Sequence, residues 1–420
     1  MGFPGQGDAM IEVRPLAGDA MTEPSVLREL GMRYFIWDTH VEGERRIELA
    51  PLVLSQALHE SAVRTAERVA RVVGRVARRA LVNAGERRLY QLPDEAHLLA
   101  QASHEGGDTA SLVRVDLLLD MRRRWQVCEI NADCPGGHNE ALALPTLARL
   151  AGFRGGLNPT RVFEHLVARL AKLAQRDGEQ GAVGLLYATA YAEDLQVCAL
   201  VAEGLRARGV KALLASPTAP TVHQGKLVIR KTPVSALYRF FPTEWMPGQH
   251  NVRGLAEVVA TGAVRTLSSF SQIYAQSKLS MARTWRTLSS LGQDDREAVM
   301  QALPFTADVR TVDRAELVGD ARGWVLKGTL GRVGEEVLVG ALSKAWGEDV
   351  DDVLERAESV PWIAQRYVVQ PRVRTPWGPR YVTLGVYLMD GVFVGYFARL
   401  TRTSHVGHDA LCVPVFFEAA

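Results

Sequence analysis

The chain has 420 residues, of which 47% are hydrophobic and 23% charged, and its formal net charge is +2. This length and composition allow large cores and more than one domain, whereas the near-neutral balance gives no general electrostatic argument for a nucleic-acid or membrane partner. Cys128, Cys134, Cys198 and Cys412 show no CxxC spacing, which argues against zinc and a disulfide framework. We see neither a secretion signal nor an apolar run of about 18 residues, and we expect a cytoplasmic protein.

The N-terminal part is read as a tail followed by helices. Residues 1–24 are rich in Gly, Pro and Asp without periodicity, which predicts a flexible tail. Residues 52–84 have helical apolar spacing with Arg and Glu between, so one or two amphipathic helices are expected. The arginines could form a nucleic-acid surface, but no aromatic residues are interleaved with them, which favours a solvated helix face. Further helical patterns lie at residues 140–151 and 160–175.

The sequence texture changes near residue 181. A strand, a helix and a second strand indicate a βαβ unit with parallel strands, and a small hairpin and another strand follow. These elements are predicted at residues 182–188, 192–208, 210–214, 222–229 and 235–241. We take residues 181–262 as a small α/β subdomain. Its first turn lacks GxGxxG, so no dinucleotide site is predicted there.

The C-terminal part begins with a Ser-rich segment and a helix over residues 268–291 and continues as strands and turns. The strand regions are predicted at residues 324–340, 362–374, 380–389, 392–400 and 412–417. An antiparallel sheet with helical insertions is the α+β signature.

Residues 127–140 (VCEINADCPGGHNE) carry the strongest chemical signal. Glu129 and Asn131 stand two apart at the end of an apolar strand-like run, so both side chains point to the same face. Upstream, VRVDLLL reads as a partner strand that carries Arg114 and Asp116, and the turn-like stretch between the two runs predicts a hairpin. Three oxygen ligands of the kind that Mg²⁺ prefers, beside one arginine, indicate phosphate chemistry.

A second motif is the run VLKGTLGRVGE at residues 325–335. Lys327 stands at the end of a predicted strand, and glycines surround Arg332. Glycines let the backbone approach a ligand closely and adopt positive φ, so this loop could close over nucleotide phosphates together with Lys327. An ordinary β-turn with a surface arginine is the alternative.

Three further features each have a chemical and a plain structural interpretation. Lys278 begins a helical run and could contact a phosphate or be a solvated helix-end residue. WIAQRYVVQ at residues 362–370 could lead into a connection between lobes whose backbone reads an adenine edge, or it could be a core strand. Arg399, on a C-terminal strand, could neutralise a transferring phosphate or be an exposed edge-strand residue.

Taken in this order, the motifs resemble the synthetase domain of glutathionylspermidine synthase, a circularly permuted ATP-grasp ligase. The matching stretches are VRVD, CEINAD and VLKGTLGRVG, and they run in family order with the lysines, the hinge and Arg399. The stretch ALYRFFPTEWM at residues 236–246 also resembles the aromatic segment between the family's α/β insert and its ATP-grasp part. The resemblance implies an α+β fold: a circularly permuted ATP-grasp with an inserted Rossmann-like preATP-grasp α/β subdomain.

The resemblance divides the chain and gives roles to its residues. After the tail it implies an ATP-grasp part at 25–180 with the metal-binding hairpin, the insert at 181–262, and a second ATP-grasp part at 263–420 with the nucleotide lid and hinge. Arg114 and Arg399 correspond to the catalytic arginines that hold the γ-phosphoryl group and the acyl phosphate. The implied Mg²⁺ ligands are Asp116, Glu129 and Asn131. The implied ATP-binding residues are Lys278, Lys327, Gly331, Arg332, Gly334, Gln365, Tyr367 and Val368.

The implied reaction joins a small-molecule or peptide carboxylate to an amine through an acyl phosphate, with ATP and Mg²⁺ and with ADP and phosphate as products. No nucleic-acid or membrane partner is implied, and a homodimer is expected. The loop CPGGHNE departs from the family's Ser-rich loop that seats glutathione, so the acid is not named. Cys134, Gly136 and His138 are expected to line the acid pocket. Pocket lining is favoured over a nucleophile for Cys134, whereas His138 could orient a carboxylate, act as a base or be a satisfied loop histidine.

Two other functions use the same motifs. A kinase-like member would phosphorylate a small molecule without an amine step, and a non-catalytic member would keep the fold as a scaffold. The presence of all the predicted metal ligands, lysines and arginines favours catalysis.

Overall fold

The computed structural model describes residues 11–176, 178–331, 336–407 and 410–419. Its α-helices are α1 (Pro24–Arg33), α2 (Gln56–Ala77), α3 (Arg79–Val82), α4 (Ala84–Leu89), α5 (Asp94–Glu105), α6 (His138–Leu150), α7 (Val162–Leu173), α8 (Ala192–Arg206), α9 (Val252–Ala260), α10 (Ile273–Gln276), α11 (Leu279–Arg286), α12 (Gln293–Ala302), α13 (Arg314–Gly319) and α14 (Trp346–Arg356). Its strands are β1 (Ile11–Val13), β2 (His40–Val41), β3 (Glu44–Arg45), β4 (Leu52–Leu54), β5 (Leu112–Leu119), β6 (Trp125–Asn131), β7 (Gln175–Arg176), β8 (Glu179–Gln180), β9 (Ala182–Tyr187), β10 (Ala212–Ala215), β11 (Thr221–His223), β12 (Lys226–Ile229), β13 (Thr232–Phe240), β14 (Arg265–Leu267), β15 (Thr306–Asp308), β16 (Trp324–Gly328), β17 (Val337–Val339), β18 (Trp362–Arg366), β19 (Tyr381–Met389), β20 (Val392–Thr401), β21 (Leu411–Val413) and β22 (Val415–Phe417).

Five antiparallel strands, in the order β21-β20-β19-β5-β6, form the sheet that carries the predicted metal ligands and both predicted catalytic arginines. The predicted hairpin is confirmed, because β5 pairs with β6 so that Arg114 lies opposite Asn131 and Asp116 opposite Glu129. The carboxylate of Asp120 closes the turn by accepting two backbone N–H hydrogen bonds of 2.8 Å each. This local register brings the charged residues of both strands to one end of the sheet.

The long helix α2 packs on one face of this sheet. Its buried residues recur three or four apart, as in Leu58, Ala62, Ala66 and Val69, so one apolar stripe faces the strands. The Trp125 Nε1–H donates to the carbonyl of Leu58 at 3.0 Å and ties β6 to the start of the helix. The predicted helical run over 52–84 is therefore confirmed for its main part.

The start of that run and the predicted tail need correction. Leu52–Leu54 is the strand β4, which pairs with β1 on one side and with β22 on the other. The prediction of a flexible tail over 1–24 is therefore wrong for residues 11–24, while residues 1–10 lie outside the described part. Strand pairing overrides the local pattern here, since a three-residue strand has too little periodicity to be recognised.

The α/β region forms its own sheet, in the order β10-β9-β13-β12-β11, with β14 paired to β13. The strands β10, β9, β13 and β14 are parallel, and α8 connects β9 to β10, so the βαβ unit is confirmed. The predicted hairpin turns at Gln224 and Gly225, both with positive φ, as a tight two-residue hairpin requires. Because β14 belongs to this sheet, the sheet extends to Leu267, beyond the predicted boundary at 262.

A four-stranded antiparallel sheet, β15-β18-β16-β17, completes the site. It has a core of its own that includes Trp324, Trp346 and Trp362. The helix predicted over 268–291 is interrupted, since α10 ends at Gln276, Ser277 is extended and α11 starts at Leu279. The mixed α+β class is thus confirmed. Within the described residues, no helix has both the length and the apolar composition to span a membrane.

Candidate functional site

Arg114 and Asp116 form the buried centre of the candidate site. The guanidinium of Arg114 donates from Nε and Nη2 to the two carboxylate oxygens of Asp116, at 2.7 and 3.0 Å. Its Nη1 donates to the carbonyl of Gly136 at 2.8 Å. Burial alone would lower the pKa of Arg114, but the charge of Asp116 and its hydrogen bonds outweigh that effect and raise the pKa above its ordinary value.

Arg399 reaches the same carboxylate from a neighbouring strand. Its Nη2 donates to Asp116 Oδ2 at 2.7 Å, and its side chain is 16% exposed. The strand β20 pairs with β19 and β21, so the alternative of an exposed edge-strand arginine is wrong. The buried Nε of Arg399 has no hydrogen-bond partner among the described residues. Arg399 therefore has one buried guanidinium nitrogen without a described partner, whereas each of the three nitrogens of Arg114 donates a hydrogen bond.

Lys278 lies between α10 and α11 and is 3% exposed, so the alternative of a solvated helix-end lysine is wrong. Its Nζ lies 3.0 Å from Glu129 Oε1 and donates to the carbonyl of Gly331 at 2.9 Å. Burial would raise the pKa of Glu129, but the charges of Lys278 and Lys327 outweigh it and lower that pKa to about 2. Lys278 thus connects the glycine-rich loop with the predicted metal strand.

Lys327 is held by an irregularity of the hairpin. The register of β5 and β6 shifts after Asp116, so Cys128 is the extra residue of a bulge, which leaves its backbone outside the regular ladder. The carbonyl of Cys128 accepts a hydrogen bond from Lys327 Nζ at 3.0 Å, and Gln365 Oε1 accepts a second one at 2.7 Å. Burial lowers the pKa of Lys327 and raises that of Cys128 to about 12.

The predicted metal ligands meet at the end of the hairpin. Asn131 Nδ2 lies 3.3 Å from Asp116 Oδ2, and Glu129 is the cross-strand neighbour of Asp116. In the described part of the chain, no group of three or more His, Cys, Asp or Glu side chains is arranged to hold a metal ion. The predicted set has two carboxylates and one amide, and such an oxygen set fits Mg²⁺, which keeps several water or phosphate ligands.

Positive charge exceeds negative charge in this cluster. Four cations, on Arg114, Arg399, Lys278 and Lys327, contact or surround two carboxylates, on Asp116 and Glu129, which leaves a surplus of two positive charges. Most of these side chains are buried, so water screens the surplus weakly. The arrangement favours binding of a polyanion.

The predicted acid loop follows the hairpin directly. The carbonyl of Gly136 accepts hydrogen bonds from Arg114 and from the Tyr387 hydroxyl, the latter at 2.5 Å. His138 is fully buried at the first residue of α6, and its Nε2 lies 2.7 Å from the Tyr238 hydroxyl. Burial, and then the charge of Arg114, lower the pKa of His138 to about 3. Cys134 is partly buried in the same loop.

The predicted adenine-binding residues divide between two places. Gln365 lies within β18, and its side chain contacts Lys327 rather than a connection between lobes. Tyr367 and Val368 follow the end of that strand and line a cavity of about 360 Å³, together with Gln126. Of the predicted phosphate loop, Gly331 is described, and Arg332 and Gly334 lie outside the described residues. A separate cavity of about 450 Å³, between α1 and the end of α6, contains no predicted site residue.

Comparisons with known proteins give the family. The model of the glutathionylspermidine synthase preATP-grasp family matches residues 22–418. The chain belongs to this family. The resemblance inferred from the motifs is therefore confirmed, and the family is named for a synthase, which agrees with the coarse prediction of a ligase-type protein.

A solved structure supports the fold of this chain. A glutathione synthetase-like effector from Globodera pallida is similar at 10% identity and a TM-score of 0.54, over 96% of this chain and 100% of that chain. A putative gamma-glutamylcysteine synthetase from Methylobacillus flagellatus KT has 13% identity and a TM-score of 0.40, over 85% of each chain. A comparison with curated proteins found no match. At such identities the first likeness shows the fold alone.

Sequence reasoning missed several residues of this family member's site. Gly385 lies opposite Asp116 on β19, and a Cβ there would come within 2.8 Å of Arg114 Cδ; the glycine therefore leaves space for the arginine. Tyr387 supports the acid loop from the same strand. Asp133 and Gln276 anchor the turn after β6. Of these residues, Asp133 could have been recognised from sequence, because it lies inside the motif CEINAD. Gly385, Tyr387 and Gln276 are recognised only from contacts between segments that are distant in the chain.

Proposed function

We propose that this protein is an ATP- and Mg²⁺-dependent carboxylate–amine ligase that forms an amide through an acyl phosphate and releases ADP and phosphate. In this proposal the fold is a circularly permuted ATP-grasp, with the α/β region as an inserted preATP-grasp subdomain. The observation that carries the proposal is the buried cluster of four cations around two carboxylates. Such a cluster suits phosphoryl transfer, because catalysis consists largely of positioning the phosphates and neutralising their spread negative charge.

The proposal assigns a role to each residue from its contacts in the structure. Asp116, Glu129 and Asn131 would hold Mg²⁺, which supplies neutralisation of the phosphate oxygens. Lys278 and Lys327 would exchange their contacts with Glu129 and the Cys128 carbonyl for phosphate oxygens. The glycine-rich loop that Lys278 contacts would exclude water from the acyl phosphate.

The two arginines have different roles in the proposal. Arg114, whose nitrogens are all engaged, orients Asp116 and the acid loop through Gly136. Arg399 has a buried Nε–H without a partner among the described residues, and in the proposal its guanidinium contacts the transferring phosphoryl group. A substrate carboxylate oxygen bonds to the γ-phosphorus while the bond to the ADP oxygen breaks. The amine nitrogen then bonds to the acyl carbon, phosphate leaves, and the proton of the amine passes to solvent.

The contacts of β6 support one direction for the proposed nucleotide. Gln126 borders the cavity at Tyr367 and Val368, Cys128 contacts Lys327, and Glu129 contacts Lys278. Three residues along a strand span about 10 Å, which suits a nucleoside at the cavity with its phosphates directed toward Glu129. The adenine would then lie beside Tyr367 and Val368.

The test is a product assay with purified protein, Mg-ATP and pooled carboxylates, including glutathione and amino acids, with and without pooled amines. We expect ADP release that depends on amine, together with a new amide mass. ADP release with a phosphorylated acid and no amine dependence would instead identify a kinase. AMP release would mean an adenylate intermediate and would overturn the proposal, and absence of both turnover and nucleotide binding would favour a scaffold.

A matched pair of variants links the assay to the site. Asp116→Asn removes the carboxylate at the centre of the cluster and is expected to abolish turnover. Asp390→Asn changes a carboxylate in the turn between β19 and β20 of the same sheet, where it accepts a hydrogen bond from the N–H of Ser111 and pairs with Arg169, outside the cation cluster and the cavity at Tyr367 and Val368. Turnover should persist in the second variant. Wild-type turnover in Asp116→Asn would contradict the assignment.

A further inference from the structure

The strand end that carries Asn131 is tied twice to the segment that carries Lys278. One tie is ionic, between Lys278 Nζ and Glu129 Oε1 at 3.0 Å. The other is neutral: Gln276 Oε1 accepts hydrogen bonds from the N–H groups of Ala132 and Asp133, at 2.8 and 3.1 Å. Gln276 stands two residues before Lys278, and Ala132 directly follows Asn131. The two ties therefore join the same two segments within a few residues of each other.

The contacts of Gln276 fix how its amide is oriented. Two N–H donors face one atom of the amide, so that atom is the oxygen and the NH₂ group is the other. The side chain is 1% exposed, and its Nε2 has no partner among the described residues. The side chain of Gln276 therefore binds the turn after β6 through its amide oxygen, which acts as a hydrogen-bond acceptor.

The far side of the same turn is also fixed. The carboxylate of Asp133 accepts hydrogen bonds from Arg239 Nη2 at 2.6 Å and from the N–H and hydroxyl of Thr243, each at 2.7 Å. Asp133, Arg239 and Thr243 are buried, with at most 1% exposure. Because this anchor comes from β13 and the residues after it, the α/β sheet holds the turn in place while Gln276 connects it to Lys278.

The two ties respond differently to a bound ligand. In the proposed function, on which this inference rests, Lys278 contacts phosphate and Glu129 contacts Mg²⁺, so the ionic tie between them weakens. The hydrogen bonds to Gln276 carry no net charge and need not change. We propose that Gln276 is a positioning residue that keeps the metal-binding strand end and Lys278 in register when Mg-nucleotide binds.

The test compares Gln276→Met with Asn251→Leu in the full chain. Asn251 is a matched control in the α/β region, because its amide also makes two buried hydrogen bonds to backbone, to Pro217 and Pro220 carbonyls at 2.9 and 3.1 Å, and its other amide atom has no described partner. The probe is the β,γ-imido analogue of ATP with saturating Mg²⁺, measured by calorimetry. We expect Gln276→Met to weaken binding by about tenfold and Asn251→Leu by less than about twofold.

A milder pair keeps the test valid if Gln276→Met does not fold. Thr243→Val removes one hydroxyl donor from Asp133, and Thr266→Val removes the equivalent donor, also at 2.7 Å, from Asp108. Binding should weaken by about threefold in the first and stay unchanged in the second. Equal binding within either pair, in protein whose wild type binds the analogue, overturns the inference. A wild-type protein that does not bind the analogue overturns the proposed function itself.

Discussion

Replacing Arg114 and Arg399 individually by methionine should show that Arg114 stabilises the fold, whereas Arg399 serves ligand binding and turnover. Arg114 makes three hydrogen bonds, two to Asp116 and one to Gly136. Removing one partner of a buried ion pair costs about 3–5 kcal/mol. Asp116 keeps Arg399 in Arg114→Met, so we expect the low end of that range, about 3 kcal/mol of unfolding free energy.

Arg399→Met should behave differently. It removes one ion pair, but Asp116 keeps both hydrogen bonds from Arg114, and the variant also removes a buried Nε–H without a described partner. An unpaired buried donor costs about 1–3 kcal/mol, which offsets the lost contact, and the surplus of positive charge falls by one. The expected change in unfolding free energy lies between about −1 and +1 kcal/mol.

The assay is urea unfolding at pH 7 followed by tryptophan fluorescence, with turnover measured on the same samples. Arg399→Met should retain wild-type stability and lose about 10²- to 10³-fold in kcat, as expected for a group that stabilises developing charge. Arg114→Met should lose both stability and turnover. Equal destabilisation of the two variants, or a stable and active Arg399→Met, would refute the assigned difference between the arginines.

Three further outcomes follow from the geometry. Gly385→Ala would bring a Cβ to 2.8 Å from Arg114 Cδ and should lower the free energy of unfolding by about 1–3 kcal/mol and remove most of the turnover. The control Gly347→Ala lies in open space on α14 and should not lower stability. Equal urea midpoints of the two variants would contradict this prediction. The pKa of Glu129 is lowered to about 2 from 4.5, so its charge stabilises the fold above pH 4.5 by about 3 kcal/mol. This stabilisation is lost as the pH falls toward 2. The stability gap between wild type and Glu129→Gln should therefore be widest at pH 7 and shrink toward pH 3, and a constant gap would count against the pairing. His138, with a pKa of about 3, is neutral at pH 6–8, so His138→Gln should leave the shape of the kcat profile unchanged there; a lost acid limb would identify His138 as a base.

The parts of the site that were predictable from sequence are local. Glu129 and Asn131 stand two apart, and the strand period places them on one face whatever the rest of the chain does. Arg114 and Asp116 obey the same rule on a strand joined by a short turn, so the register of one hairpin brings the four residues together. The βαβ unit was recognised for the same reason, because its signal lies in consecutive elements.

The parts that were not predictable depend on distant pairing. Lys327 contacts a carbonyl that is free because Cys128 forms a bulge, and no local signal marks a bulge at a cysteine. Gly385 matters since its strand lies beside β5, nearly 270 positions away in the chain. The strand β1 is not recognisable from sequence, because its three residues gain their order from pairing with β4.

The α/β sheet contacts the candidate site by anchoring the turn after β6. Its first turn lacks a glycine fingerprint, and the residue that it directs toward the hairpin is Arg239, whose charge is neutralised by Asp133. A fully buried ion pair adds little net stability when compared with apolar packing. We therefore infer that the pair of Arg239 and Asp133 serves to position the turn. It fixes the turn between the predicted metal-binding strand and the predicted acid loop, and the loop is held again at Gly136 by Arg114 and Tyr387. In the proposed function, substitutions in the acid loop would therefore change the acid that is bound while both ends of the loop stay in place.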